Sequence, residues 1–491
     1  MNNFSFLKSG IFALGGPGIR LILNLFFLAA LGRLLAPEDF ALFGILLAVN
    51  QLMIPFSDLG LGPAYIKLEI ESKEARNVFF TLNFSLSMLI MIGFITISPI
   101  LEIIYKNSQL IWLTLAFSIT AILRPFDQLR ISILNRRKSF GKIFIVNQCG
   151  YTLSSLCAVF AAWIGLGVWA LIIGALVQSC LRVCILKLYI PEMLKFSTYR
   201  SITRYKDSIR FGIEIVINRA LTGFFLAFDK LLIGKIYGLV ILGNYTRACS
   251  LSSMPNSYLN LPLILPALSH LARNPVKAAY HNFAILSNTV ILIAGTACIL
   301  LCITGDLLLP WLLGPKWQVA GTYLQILSIW GMGEIFHELI RLIYLNEMKM
   351  KRFMMYNSFS FVIVIIILSL VIFFDKNILW FITSYSVSNL FIWATIFFIS
   401  ITTISGSTLL TFKVLRTFVI SIICGIFAGS LSKAWHNSIL LDDNYLNQLL
   451  IIFAISFGTI IIVSIGHICF NYYQMKEIGI FIKSRLGKSV A

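Results

Sequence analysis

Apolar stretches follow one another along most of the chain, separated by short polar gaps. A helix needs about 20 apolar residues to cross a bilayer, and on that measure the pattern predicts about fourteen membrane spans. Six lie near 10–31, 40–58, 77–99, 109–130, 143–163 and 168–189, and six more near 209–233, 240–262, 280–303, 318–342, 354–374 and 378–402. A last pair lies near 411–431 and 447–471. The pattern also repeats. Leu31-Gly32-Arg33-Leu34, followed by Ala36, Phe40, Ala41 and Phe43, recurs 202 residues on as Ile233-Gly234-Lys235-Ile236, followed by Gly238, Leu242, Gly243 and Tyr245. Duplicated membrane bundles are how many carriers build a central site that opens to alternate sides.

The polar gaps set an orientation. With the N-terminus placed in the cytoplasm, Arg136, Arg137, Lys138 and Lys142 fall inside, as do Lys187, Lys195, Arg200, Arg204, Lys206 and Arg210. Lys349, Lys351, Arg352 and the tail residues Lys476, Lys483, Arg485 and Lys488 join them. The outer gaps hold Arg33, Lys106, Lys230, Lys235, Lys316, Lys376 and Lys433. About 29 basic residues inside against about 7 outside is a strong positive-inside bias, so both termini are expected in the cytoplasm. Copies six helices apart then share one orientation. The expected fold is an all-α polytopic membrane protein with two pseudo-symmetric parallel six-helix bundles, 1–190 and 209–403, joined by a cytoplasmic linker at 191–208. Residues 404–491 add two transmembrane helices and a basic cytoplasmic tail. The first apolar run is too long for the core of a signal peptide and is expected to stay as a helix. Trp163, Trp169, Trp311, Trp317 and Trp435 fall in outer gaps, where an aromatic belt is expected.

Composition agrees with this class. Of 491 residues 58% are hydrophobic and 12% charged, against roughly 25% charged in soluble proteins, and the mean hydropathy is +0.89. The net charge of +19 is spread over the gaps rather than clustered on a soluble domain, which excludes nucleic acid as a partner. The nine cysteines are scattered. Cys180/Cys184 and Cys298/Cys302, at i,i+4, are expected to be packing residues, so no metal and no cofactor is expected. No phosphate-binding loop, H-E-x-x-H or G-x-S-x-G motif is present, and the chain is not expected to be an enzyme.

Charges at mid-membrane depth need a reason. Arg20 lies halfway along the first expected helix and Arg219 halfway along the seventh, with Arg247 nearer the outside on the eighth. Guanidinium forks pair bidentately with phosphate or carboxylate, so these three predict a cationic cavity for an anionic substrate. Gly15, Gly16, Pro17 and Gly18 stand just before Arg20 and predict a gating bend. Pro255, Pro262 and Pro266 weaken the eighth helix and the turn after it. The tenth helix carries Glu334, His337, Glu338 and Arg341, a set able to couple transport to an H+ or Na+ gradient or to close an internal salt bridge. Asp58 and Asp229 are further candidates for ion coupling, with a helix stop and a pairing to Lys230 or Lys235 as their structural alternatives.

The same residues carry a family resemblance. Leu31-Gly32-Arg33-Leu34-Leu35-Ala36-Pro37-Glu38-Asp39-Phe40, then Asp58-Leu59-Gly60-Leu61-Gly62, resembles the N-terminal signature of Wzx-type bacterial polysaccharide transporters of the multidrug/oligosaccharidyl-lipid/polysaccharide (MOP) superfamily. Asp229 to Lys235, Gly238 and Leu242-Gly243-Asn244-Tyr245-Thr246-Arg247-Ala248 are similar to the second signature of its colanic-acid-exporter-like branch, which Pro266-Ala267-Leu268-Ser269 extends. Ala36 departs from the usual glycine. The resemblance implies two bundles around a V-shaped cavity in the bacterial inner membrane. It implies flipping of undecaprenyl-diphosphate-linked O-antigen or exopolysaccharide repeat units by alternating access, among membrane lipids and beside a polysaccharide polymerase and a chain-length regulator. The alternatives are a MATE-like exporter of a soluble small molecule and a membrane-embedded glycan polymerase or ligase.

Overall fold

The computed structural model describes residues 3–58, 72–192, 227–260, 285–347, 349–374, 377–405 and 414–424. It adds 61–62, 65, 195–197, 220, 223–224, 283, 426–427, 429–430, 455, 458–459 and 461, with side chains from Gly18 onward. Among the described residues all regular structure is helical. The first six helices are α1 (Asn3–Leu34), α2 (Pro37–Asp58), α3 (Lys73–Tyr105), α4 (Gln109–Arg136), α5 (Phe140–Trp163) and α6 (Trp169–Tyr189). A helical stretch at 227–236 leads into α7 (Leu239–Ser252). Then come α8 (Thr296–Leu313), α9 (Gln318–Asn346), α10 (Met350–Phe374) and α11 (Ile378–Ser405). Eight helices among the described residues are long and apolar enough to cross a membrane; they are α2 to α6, α8 with the turns before it from Ile285, α10 and α11. The protein is a multi-pass membrane protein. The expected spans 209–233, 411–431 and 447–471 lie wholly or partly outside the described residues.

The two motif copies fold alike. α2 and α7 begin at Pro37 and Leu239, 202 residues apart, each separated by two residues from the helix before it. The second turn is made by Gly238 at φ +90°, a conformation that favours glycine. The first turn manages with Ala36, because the Asp39 carboxylate reaches back to accept its backbone N–H at 2.9 Å, half of a capping box. Gly243 lets α7 approach closely: a Cβ there would collide with the Pro37 carbonyl. α7 ends at Ser252. It gives way to a π-turn at Asn256–Asn260, directly after Pro255, which removes a helical hydrogen bond.

The chain divides into two compact units, Ile19–Thr246 and Arg247–Ala491 together with Met1–Gly18. α1 is helical through Gly15, Gly16, Pro17 and Gly18, and the division falls between Gly18 and Ile19. In the first unit α5 packs on α6 through a stripe of small residues. Gly150, Ser154, Ala158 and Ala162 recur every fourth position, and a Cβ on Gly174 would stand 3.0 Å from that of Ala158. Lipid tails are as apolar as leucine, so helices associate by such close packing rather than by escape from water. After α6, residues 195–197 cross α3. The Lys195 N–H donates to Asn77 Oδ1 at 3.1 Å, the Ser197 N–H to Thr81 Oγ1 at 2.8 Å, and Phe196 sits between Phe80 and Phe84. Glu192 pairs with Arg76 just before.

In the second unit α9 is the central element, packed against α8 and α11 and holding Phe336 among Phe397, Phe398 and Phe418. The sequence expects a loop around residues 304–317; instead α8 runs on to Leu313 and turns at Gly314 (φ +106°). Trp317 is therefore 0% exposed, a core residue and not part of an aromatic belt, while Trp163 is 72% exposed, as a belt residue would be.

Candidate functional site

In the first unit α2, α4 and α6 enclose a cavity of about 380 Å³, within the range of roughly 300–1,000 Å³ common for ligand sites. Each helix presents one face at helical spacing: Phe43, Leu47 and Asn50 from α2, Phe117, Thr120, Arg124 and Asp127 from α4, and Ala175, Gln178, Ser179 and Arg182 from α6. Arg182 Nη2 lies 3.1 Å from Asp127 Oδ1 and 3.0 Å from Oδ2. Arg124 Nη2 donates to Asn50 Oδ1 at 3.4 Å. One turn further along α4, Arg130 is buried and donates to the carbonyls of Ile190 at 3.3 Å and Phe126 at 3.0 Å. The Ile190 contact caps the end of α6 with a cation, where unpaired carbonyls favour one. Three guanidiniums thus stand near one carboxylate in an apolar bundle. That excess of positive charge is suited to an anion, and the amides of Asn50 and Gln178 and the hydroxyls of Thr120 and Ser179 add hydrogen-bonding capacity for a polar headgroup.

Arg124, Asp127 and Arg182 lie inside expected spans, yet matching equivalent repeat positions passes them by. Ile326, Ile329 and Ser384 stand 202 residues on. The signal that finds them is the plain occurrence of ionisable residues inside spans 109–130 and 168–189.

The residues expected from the sequence are dispersed over both units. Arg20 is exposed, with its guanidinium 5.9 Å from the ring centre of Tyr151, whose hydroxyl donates to Asn24 Oδ1 at 2.7 Å. Arg247 is half-buried on α7 and belongs to the second unit. Arg219 and the side chains of Gly15, Gly16, Pro17 and Asp58 lie outside the described residues; the backbone of Asp58 ends α2. Asp229 is buried and accepts from the Tyr245 hydroxyl at 2.6 Å, the Lys230 N–H at 2.8 Å and Lys230 Nζ at 3.4 Å. Lys235 instead donates to the Ile104 carbonyl at 2.9 Å. On α9 the ion pair forms between Glu338 and Arg341, at 2.6 Å. His337 lies beside it, with Nε2 3.2 Å from Asn357 Oδ1. Among the described residues no three His, Cys, Asp or Glu side chains converge as metal ligands would.

Residues 30–322 match the family described as polysaccharide biosynthesis protein. The chain belongs to this family. Among relatives, it is 21% identical over 314 residues to the lipopolysaccharide biosynthesis protein WzxC of Escherichia coli (strain K12), with 63% of each chain covered. It is 22% identical over 237 residues to the succinoglycan biosynthesis transport protein ExoT of Rhizobium meliloti (strain 1021), covering 46% of this chain and 45% of ExoT. The chain spans 63% of the length of WzxC and 45% of that of ExoT, under two thirds of each. Among solved structures, the polysaccharide biosynthesis chain is similar to the lipid II flippase MurJ in an inward closed conformation (TM-score 0.70, 13% identity, 93% of this chain and 99% of that one). It is also similar to an inward-facing multidrug resistance MATE family transporter of the MOP superfamily (TM-score 0.62, 13% identity, 81% and 99%). At these identities the likeness is one of fold, shared with those two structures.

Proposed function

We propose that this protein is a flippase for lipid-diphosphate-linked oligosaccharide repeat units of a bacterial surface polysaccharide, and not an enzyme. The observation that carries this is the cavity of α2, α4 and α6, where Arg124 and Arg182 outnumber Asp127 inside an apolar bundle. Ionisable groups at that depth are costly and mark substrate pathways. A lipid diphosphate presents the matching charge, its hydroxyl-rich sugars match the amides and hydroxyls, and its tail can remain in the bilayer throughout. The names of WzxC and ExoT support the assignment to polysaccharide, and the MurJ-like fold supports movement of a lipid-linked cargo.

In a flippase of this kind, two parallel six-helix bundles with two further helices form a V-shaped cavity in the inner membrane. Arg20, Arg219 and Arg247 extend its positive lining, Gly15 to Gly18 bend as it opens, and a polymerase and chain-length regulator receive the product.

The test is surface glycan in a strain lacking the protein. Arg124→Ala, Arg182→Ala, Arg20→Ala and Arg219→Ala are each expected to reduce glycan at least tenfold at unchanged membrane levels. Full glycan in both Arg124→Ala and Arg182→Ala would remove the assignment of the cavity. Loss of resistance to cationic drugs with glycan intact would instead identify an exporter of soluble molecules.

A further inference from the structure

α5 is long and apolar enough to cross the membrane, yet it has three chemically distinct faces. Gly150, Ser154, Ala158 and Ala162 are buried against α6. Ile145, Leu153, Leu156 and Phe160 lie on the far side, 44–60% exposed, as side chains in lipid would be. The third face carries Gln148, Tyr151, Thr152 and Ser155 at i, i+3, i+4 and i+7, one polar ridge about 10 Å long. All four are half-buried. Lipid offers such groups no hydrogen bonds, so a polar ridge on a spanning helix needs another neighbour.

α1 supplies part of that neighbour. The Tyr151 hydroxyl donates to Asn24 Oδ1 at 2.7 Å, and the Arg20 guanidinium lies 5.9 Å from the Tyr151 ring centre. Along the ridge Gln148 Nε2 donates to Thr152 Oγ1 at 3.3 Å. Among the described residues, the Asn24 amide N–H groups, the Gln148 carbonyl oxygen and the Ser155 hydroxyl make no hydrogen bond. Spare donors and acceptors thus stand side by side, and α1 and α5 contain no Asp or Glu. The ridge also adjoins the cavity of α2, α4 and α6. The stem of Arg182 rests on Gly150, the residue before Tyr151, where a Cβ would stand 3.0 Å from Arg182 Cγ.

We propose that this face of α1 and α5 is a saccharide subsite, at which Asn24, Gln148, Thr152 and Ser155 hydrogen-bond the hydroxyls of the sugar nearest the diphosphate; it rests on the reading of the protein as a carrier of lipid-diphosphate-linked oligosaccharide. A sugar hydroxyl both donates and accepts, which is what neighbouring amides and hydroxyls satisfy. Tyr151 fixes the Asn24 side chain, and Arg20 adds donors at the edge of the ridge. A drug cation would call for carboxylates, and a lipid tail for an apolar face. Neutral hydrogen bonds are each worth only a few-fold in affinity, which suits a cargo that is held at one side of the membrane and let go at the other.

The test measures binding of two ligands to the full chain in lipid nanodiscs. One is undecaprenyl diphosphate; the other is the lipid-linked oligosaccharide that accumulates in a strain lacking the protein. Wild type is expected to bind the second about tenfold more tightly. In Gln148→Leu/Thr152→Val/Ser155→Ala that ratio is expected to fall below about two, with affinity for undecaprenyl diphosphate unchanged. Ser155→Ala alone, which breaks no hydrogen bond among the described residues, is expected to lower the ratio about threefold without a change in packing. Arg182→Ala is expected to weaken both ligands alike and keep the ratio. A ratio near one in wild type, a full ratio in both α5 variants, or a loss in them shared equally by both ligands overturns the subsite and leaves the flippase reading standing. If no lipid-linked oligosaccharide accumulates, or wild type binds neither ligand, the flippase reading falls and the subsite with it.

Discussion

The Asp127–Arg182 pair is where one side chain has the largest consequence. Its carboxylate and guanidinium meet through both oxygens at about hydrogen-bond distance, so removing one partner leaves the other exposed to a low-dielectric surround. Breaking a fully buried pair costs about 3–5 kcal/mol. Because this pair opens onto a cavity, Asp127→Ala is expected to lose about 2–3 kcal/mol, read as a lowered thermal unfolding midpoint in detergent. The double variant Asp127→Leu/Arg182→Met is expected to recover most of that loss, because no charge is then stranded. Equal losses in the single and double variants would show that the two residues do not act as a pair. At this scale the sequence was legible only in part. The types of residue that bind anions stand out at any position, but which of them share a cavity depends on how α2, α4 and α6 rotate about their axes. Arg124 and Arg182 are 58 residues apart and face one space, whereas Arg20 is exposed beside Tyr151 and does not line it.

Element by element, apolar length located the described helices but not their ends, which differ from the expected spans by up to about ten residues, because the bilayer sets a minimum length for a span and not its limits. Pattern was less informative about where helices stop. α8 runs past its apolar segment to Gly314 and buries Trp317, since a tight turn brings α9 directly against it. Burial also explains how α9 tolerates Glu334, His337, Glu338 and Arg341: its neighbours on both sides, not lipid, surround most of its length. The contact of α5 with α6 makes the sharpest prediction at this scale. Ala158→Leu places a branched side chain where Gly174 leaves no room, and overpacking of that kind costs about 1–3 kcal/mol. A lowered unfolding midpoint is expected, with no such loss for Leu153→Ala or Leu156→Ala, whose side chains are exposed. An unchanged midpoint would mean that the helices separate easily here.

For the molecule as a whole, the motif repeat was readable because two helix–turn–helix units share their spacing while most of their side chains differ. The helix starts at Pro37 and Leu239 show that the repeat is one of backbone as well as of sequence. The topology of the whole chain can be tested directly. Reporter fusions after Arg137 are expected to be active only in the cytoplasm, and fusions at Gly165 only outside, as the basic residues require. The reverse result would invert every assignment of inner and outer ends. The two backbone N–H donors and the aromatic stack that pin residues 195–197 to α3 make that segment part of the packing of the first unit. An insert placed before Lys195 pulls those contacts apart, and is expected to impair surface glycan more than the same insert placed after Ser197.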